Sequence, residues 1–420
     1  MYVKKSYAFL LSILLIFGVV LAGCSSNEKS SGDEKVTLNI ALWDENVSEV
    51  VDKSVALFEK EHPNVKVNIT YTPFADYWAK LKTSAAGGSG PDIFWMNGPN
   101  FHQYASNGLI KDLQPLIEKD KIDTSVYTPA LVDLYTYEDH LYGMPYFLDS
   151  VALYYNKKLF DDAGLPYPDE TWTWETIEEV GEKLTDKDKK IYGYIASNLS
   201  QQGYYNLIHQ AGGYVINEDK TKSGYNLPET KEAFEFTKRL MDKGISPSAK
   251  TQVETKGDQI FGSGKAAMAP AISVIAPTYY EMLGENLGIA PLPKGKQKAT
   301  IVHGLSWSMN DKTKHEDLAW ELLKKLSGKE AGQYMGESGF SIPAYQEAES
   351  LWVESIPSIN LKVFTDSLEF GVPYPISKDT EKWQNVEVKE FKEAFLGKKS
   401  IDEAAETVQK EMDEILKNEK

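Results

Sequence analysis

Three short apolar runs near the start of the body, VTLNIALW (36–43), VKVNITY (65–71) and DIFWM (92–96), are separated by two stretches with the spacing of amphipathic helices. The first stretch, 49–62, carries Val50, Val51, Val55, Leu57 and Phe58 on broadly one side and is stopped by Pro63. The second, 76–85, is broken by GGSGP. Short dense runs bounded by turn signals read as strands, and longer runs with 3.6-residue spacing as helices. Strands alternating with helices of ten or more residues predict βα units and a mainly parallel sheet. The pattern returns at ALYYN (152–156), IYGYIA (191–196), AAMAPAI (266–272) and LGIAPLP (287–293). Helical spacing lies between and after them at 174–184, 231–243, 314–326 and from 401 to the end. At 420 residues the chain exceeds what one hydrophobic core normally holds, so two α/β units are expected.

The N-terminus follows a different logic. Lys4 and Lys5 precede an apolar run, 7–21, and Leu21-Ala22-Gly23 then puts small residues before Cys24, the only cysteine. That is the layout of a secretory signal, here 1–23. At ~1.5 Å per residue the run makes about 22 Å of helix, short of the ~30 Å hydrocarbon core of a bilayer. Leu-Ala-Gly-Cys resembles a bacterial lipobox, which implies that Cys24 is lipidated, becomes the mature N-terminus and anchors the protein on the extracytoplasmic face of the cell membrane. The segment that follows, 24–35, holds no apolar side chain after Cys24 and reads as a flexible tether. No later segment approaches eighteen apolar residues, so the body is expected outside the membrane.

Charge and motif searches exclude several functions. Lys+Arg 45 against Asp+Glu 62 gives −17, which repels nucleic acid. Arg239 is the single arginine, and arginine is the usual bidentate clamp for carboxylate or phosphate, so a strongly anionic ligand is disfavoured. One cysteine allows neither an internal disulfide nor a thiolate zinc cluster. FGSGKAAM (261–268) lacks the earlier glycine of a phosphate loop and has Ala266 where Ser or Thr would bind magnesium, so it reads as helix and turn. GLSWS (304–308) has Ser308 where a nucleophile elbow needs glycine. The histidines, at 62, 102, 140, 209, 303 and 315, show no ligand spacing, and NEDKTKSG (217–224) lacks the glycine of a calcium loop. No metal or cofactor is therefore expected, and no carboxylate pair is singled out for glycoside hydrolysis.

The aromatic residues point elsewhere. Nine Trp and 24 Tyr include many placed beside Gly, Pro, Asn or Asp at strand ends, in ALWDEN, FWMNGPNF, MPYFLDS, ETWTWE, QQGYY, HGLSW and EKWQN. Sugar rings present apolar C–H faces to stack on such rings, and hydroxyls for nearby carboxylates and amides, in a concave site with few polar anchors.

The segments 91–117 (PDIFWMNGPNFHQYASNGLIKDLQPLI), 142–175 (YGMPYFLDSVALYYNKKLFDDAGLPYPDETWTWE), 261–268 and 287–295 (LGIAPLPKG) closely resemble extracellular solute-binding proteins of bacterial ABC sugar importers, the family that includes the maltose-binding protein. The resemblance implies a two-lobed periplasmic-binding-protein-like α/β fold, each lobe a mainly parallel sheet flanked by helices, with hinge strands near 147–150 and 289–292. The lobes would be 36–148 with 291–335, and 149–290 with 336–420. It further implies a monomeric, non-enzymatic receptor that holds a carbohydrate, an oligosaccharide by the aromatic abundance, between the lobes and delivers it to ABC permease subunits. Transferred position by position, the ligand-binding residues would be Trp43, Asp44, Glu45, Asn97, Asp149, Gln202, Tyr204, Ser273, His303, Gly304 and Trp383. One departure stands out: Ser273 and Val274 occupy the place after GKAAM where the family usually has Gly or Pro and a stacking Trp, so that ring is either missing or supplied elsewhere, with Trp307 and Tyr279 as the candidates. The alternatives are a receptor of the same fold for a glycerol phosphodiester or peptide, and a secreted glycan-active enzyme.

Overall fold

The computed structural model describes residues 35–86 and 90–419. Cys24, the apolar run before it and the tether up to residue 34 lie outside the described residues. Along the chain the strands are β1 (Val36–Leu42), β2 (Val65–Tyr71), β3 (Ile93–Asn97), the short pair β4 (Thr136–Tyr137) and β5 (His140–Leu141), and β6 (Met144–Asp149). Then come β7 (Val151–Asn156), β8 (Met268–Ile272), β9 (Leu287–Ala290), β10 (Thr300–Met309), β11 (Ile342–Pro343) and β12 (Gly371–Pro373). Seven of them form one sheet, ordered β11-β6-β10-β3-β1-β2 with β12 beside β10, and three form a second, ordered β8-β7-β9. Each sheet with its helices makes a lobe. Among the described residues no helix is long and apolar enough to cross a membrane.

The first sheet begins as the predicted βα units. Helix Ser48–Glu61 joins β1 to β2 and buries Val50, Val51, Val55 and Phe58, and helix Phe74–Ala86 joins β2 to β3. β1 pairs parallel with both β2 and β3. β3 and β10 are buried at every residue, which matches their dense apolar composition and central places.

Beyond these units the pairing departs from a mainly parallel sheet. β10 runs antiparallel to β3 and β6, β11 antiparallel to β6, and both ladders of the second sheet are antiparallel. The cause is the traffic between lobes. β1, β3 and β6 all end at the sheet edge facing the second lobe, and β6 passes through Ser150 straight into β7. A strand returning from that lobe must start at this edge and run away from it, as β10 does.

The lobe boundaries also differ from the expected ones. Residues 291–299 stay fastened to the second lobe, through Lys294 N donating to Trp172 O and Gln297 N donating to Gln210 O, and the chain enters the large sheet only at Thr300. Helix Lys329–Ser338, β11 and helix Glu349–Val353 pack on the first lobe, so it reaches well past 335. After β12 the chain returns to the second lobe, where helices Thr380–Phe395 and Ile401–Asn418 pack together and the Phe391 ring stacks on Phe234 at 3.5 Å.

The run 191–196 forms no strand, only the single bridges Asp186–Ile191 and Tyr192–Ala266. Tyr192 N reaches Lys265 O and Ile195 N reaches Met268 O at the start of β8, but three other amides go to non-ladder acceptors, Gly193 N to Thr185 Oγ1, Tyr194 N to Ile245 O and Ala196 N to Ser246 Oγ, and no continuous ladder forms. By contrast helix Trp174–Leu184 forms over the expected residues, started by a reciprocal cap between Thr173 and Thr176.

Candidate ligand-binding site

The carboxyl ends of β1, β3 and β6 and the amino end of β10 meet at the edge of the large sheet, and a cleft of about 520 Å³ opens there between the lobes. Open α/β sheets place ligands at such strand ends, and the volume suits a small-molecule ligand.

The first-lobe wall is aromatic and rigid. The Trp43 ring, just after β1, sits 4.8 Å from Trp95 and 5.0 Å from Tyr77, both edge-on. Phe74 and Trp78 also approach it, at 5.5 and 5.9 Å. These two share a face of their helix because they are four residues apart. The Tyr77 hydroxyl donates to Trp95 O at 2.9 Å, which ties the helix to β3 beneath the ring. Each edge-to-face pair contributes roughly 0.5–1.5 kcal/mol beyond area burial, so Trp43 is a fixed platform.

Polar groups stand beside it at the strand ends. Asp44 caps the short turn Glu45–Val47 by accepting from Asn46 N. Asn97 ends β3 and caps helix Gly98–Ser106; its Oδ1 accepts from Asn100 N at 3.2 Å and Asn100 Nδ2 at 2.8 Å, which leaves its own N–H groups for the cleft. Asp149, at the end of β6, is only 5% exposed, and the Gln201 amide from the second lobe donates to it. Burial pushes its pKa up to about 7, against the opposing pull of that hydrogen bond. His303 lies opposite Asp149 in the β10–β6 ladder. Burial lowers its pKa to about 4. The ring is therefore neutral, and since Nε2 faces Gly98 N at 3.3 Å as acceptor, the proton sits on Nδ1. From the second lobe come Gln201, Ile272, Val274, Tyr374, Glu381 and Gln384. The Tyr374 ring lies 4.8 Å from His303, and its hydroxyl accepts from Gln384 Nε2 at 2.8 Å. Among the described residues no Lys or Arg lines the cleft.

Five of the expected positions, Trp43, Asp44, Asn97, Asp149 and His303, thus come together, and six do not. Glu45 is exposed in the turn beyond Asp44. Gln202 turns to Asp258, and its neighbour Gln201 takes the cleft position. Tyr204 is 1% exposed and packs on Phe234 at 5.0 Å. Ser273 is buried behind Ile272 and Val274. Gly304 is covered, since a Cβ there would meet Leu131 and Phe147 O at 2.5 Å. Trp383 is 0% exposed, with Nε1 donating to Ser377 Oγ at 2.9 Å. Glu381 and Gln384, three apart on its helix, face the cleft, and at ~100° per residue Trp383 is turned into the core.

The ring sought after GKAAM comes from neither candidate. Trp307 is buried against Trp95, and Tyr279 is buried with its hydroxyl on Asp258. Tyr374 is the aromatic that the second lobe contributes. Phe74 and Trp78 could have been found from their four-residue spacing; Tyr374, between Pro373 and Pro375, carried no such signal.

The comparisons with known proteins agree with this architecture. The family model described as bacterial extracellular solute-binding protein matches residues 41–333. The galactooligosaccharide-binding protein of Bacillus subtilis (strain 168) is 27% identical over 434 residues, covering 96% of each chain. The maltodextrin-binding protein of the same organism is 26% identical over 414 residues, covering 96% of this chain and 95% of that one. Among solved structures, an ABC substrate-binding protein from Listeria monocytogenes in complex with cycloalternan has a TM-score of 0.86 at 28% identity, covering 91% of this chain and 99% of that one. Two sheets exchanging strands across a cleft, and a family match through most of the chain, lead to one conclusion: this chain belongs to the bacterial extracellular solute-binding protein family.

Proposed function

We propose that this chain is a receptor, anchored through lipidated Cys24, that captures an uncharged oligosaccharide in the interlobe cleft and delivers it to the membrane subunits of an ABC importer. The observation that carries this reading is the Trp43 platform in the same cleft as the buried carboxylate of Asp149, with no Lys or Arg lining it among the described residues. A sugar face stacks on the ring, and its hydroxyls donate to the carboxylate in charge-assisted hydrogen bonds that offset the lost hydration. The printed names of the two Bacillus relatives, both oligosaccharide binders, support the same class. A glycerol phosphodiester or a peptide carboxylate would instead face Asp44, Asp149 and Glu381 with no counter-charge.

In this reading the rigid bodies are 36–149 with 300–353, and 151–299 with 374–419. Trp43, Asn97, Asp149 and His303 hold the sugar from one body, and Gln201, Tyr374 and Gln384 from the other. A ligand touching both favours the closed arrangement, and that difference alone moves the equilibrium. No turnover is expected, so an oligosaccharide incubated with the protein returns intact.

The test is a thermal-shift screen of the chain from Ser25 onward against galacto-, malto- and arabinooligosaccharides, glycerol phosphates and peptides. A ligand at ~100 times its dissociation constant adds about 2.7 kcal/mol to the native state. A rise with one sugar series supports the reading and names the class. A response to phosphates or peptides alone, or sugar products in the mixture, overturns it.

A further inference from the structure

Below the second-lobe wall of the cleft lies a carboxylate that, among the described residues, has no cation beside it. Glu387 is 0% exposed in the middle of helix Thr380–Phe395. The titratable groups facing it are hydroxyls: Tyr204 and Tyr205 from one segment, Tyr225 from another, and Tyr374 beyond them. Burying an unpaired carboxylate is costly. Its neighbours show what it organises. The Tyr205 hydroxyl donates to Glu387 Oε2 at 2.7 Å. Gln384, one turn earlier on the same helix, points Nε2 at the Tyr205 oxygen at 3.5 Å and at the Tyr374 oxygen at 2.8 Å. Gln384 and Tyr374 both line the cleft.

The direction of every bond in this chain follows from its buried end. An ionised carboxylate only accepts, so Tyr205 must spend its single proton on Glu387. The Tyr205 oxygen is then an acceptor for its next neighbour, which must present a hydrogen, and Gln384 Nε2 is the amide donor within reach. Gln384 therefore turns its amide nitrogen inward, and its carbonyl oxygen is the atom left for the cleft. Tyr374, receiving N–H from Gln384, keeps its own proton to donate, to Ser200 Oγ at 3.4 Å, to the Tyr205 oxygen, or, once a ligand acceptor is present, into the cleft.

We propose that Glu387 is a positioning residue for ligand capture, setting the hydrogen-bond direction of Tyr205 and through it holding Gln384 as an acceptor, and Tyr374 as a donor, toward the ligand. This rests on the cleft being the ligand site. It narrows the ligand to one that offers a hydroxyl donor to Gln384 and an oxygen acceptor to Tyr374, which neighbouring hydroxyls of one sugar ring satisfy together. Replacing Glu387 by Gln keeps the shape and removes the fixed direction, because an amide can donate as well as accept.

The experiment is a double-mutant cycle read by titration calorimetry with maltotriose or with a galacto- or arabinooligosaccharide. It is run at pH 8, above the value of about 7 to which burial lifts the Glu387 pKa. Glu387→Gln and, separately, Tyr205→Phe should each weaken binding about five- to tenfold, the effect of one misdirected hydrogen bond. In a Gln384→Ala background, where the transmitting amide is gone, Glu387→Gln should add less than about twofold. Tyr205→Phe retains the ring packing but takes the donor from the buried carboxylate, so melting curves on every variant separate a folding defect from a change in affinity. A loss of melting temperature without a change in affinity, or an equal affinity loss in both backgrounds, would make Glu387 a structural residue and overturn the inference. The cycle uses the sugar series that raises the melting temperature of the wild-type chain in the screen above; a wild-type chain that binds no series in that screen would instead overturn the carbohydrate reading, and this inference with it.

Discussion

Two tryptophans from the same resemblance should behave oppositely when truncated. Trp383 is 0% exposed, and removing it leaves a cavity among the second-lobe helices. Its partner Ser377 Oγ still donates to Glu419 Oε1 at 2.7 Å, so the cost comes from lost packing and not from an orphaned hydroxyl. Trp383→Ala should therefore cost about 3–5 kcal/mol, as buried Trp truncations do. At about 2.1 cal/mol/K per residue the unfolding entropy of a chain this long is roughly 0.8 kcal/mol/K, so the melting temperature should fall by about 4–6 °C. If the second lobe unfolds alone, the smaller entropy makes the fall larger. Sugar affinity should stay within about twofold of wild type, because the helix presents Glu381 and Gln384 to the cleft from its other side. Trp43→Ala is the counterpart. Its ring is half-buried at the cleft, and losing a fixed stacking platform should weaken binding by about 2 kcal/mol, some thirtyfold, with a smaller loss of stability. Calorimetric melting and sugar titration on both variants decide the matter. A Trp383→Ala protein that melts like wild type but no longer binds sugar would refute the placement of Trp383 in the core.

Two further predictions concern Asp149 and a glycine contact. Burial raises the Asp149 pKa to about 7, above its unfolded value of about 3.9, so the native state holds the proton more tightly and this residue's contribution to stability is lost as pH rises from about 4 to 7. Relative to Asp149→Asn, the wild-type ligand-free protein should lose about 3 kcal/mol over that window; parallel stability–pH curves for the two proteins would contradict the shift. Gly193→Ala should destabilise by about 3 kcal/mol or more, because the new Cβ would lie 1.9 Å from Gly181 O and pry helix Trp174–Leu184 off its support; a melting temperature unchanged within 1 °C would refute that contact.

What could be read from the sequence divides along a physical line. β2 over Val65–Tyr71 and helix Trp174–Leu184 follow from local pattern, alternation in one and a capped amphipathic face in the other, and both stand where the pattern puts them. β11 and β12, two and three residues long, exist because β6 and β10 offer edges to pair with, and nothing local announces such a partner. The run 191–196 shows the converse, strand-like composition in which side chains and loops took three of the amides and left too few for a ladder.

The cleft divides in the same way. Trp43, Asn97, Asp149 and His303 are strand-end residues, and a strand end is located by where its apolar run stops or begins. Gln202, Tyr204 and Trp383 sit on a turn and a helix, where one residue of phase decides between cleft and core. That phase is set by packing far along the chain: Phe391 stacked on Phe234, and Glu387 buried beneath Tyr205, rotate helix Thr380–Phe395 until Gln384 faces the cleft and Trp383 does not. The second-lobe wall is thus an outcome of its core. Phe234→Ala, which removes the stack that sets this phase, should therefore weaken ligand binding in a titration without touching ligand, whereas Trp383→Ala, which leaves the Phe391–Phe234 stack and the Glu387–Tyr205 bond in place, should not, and the first-lobe wall should be insensitive to both.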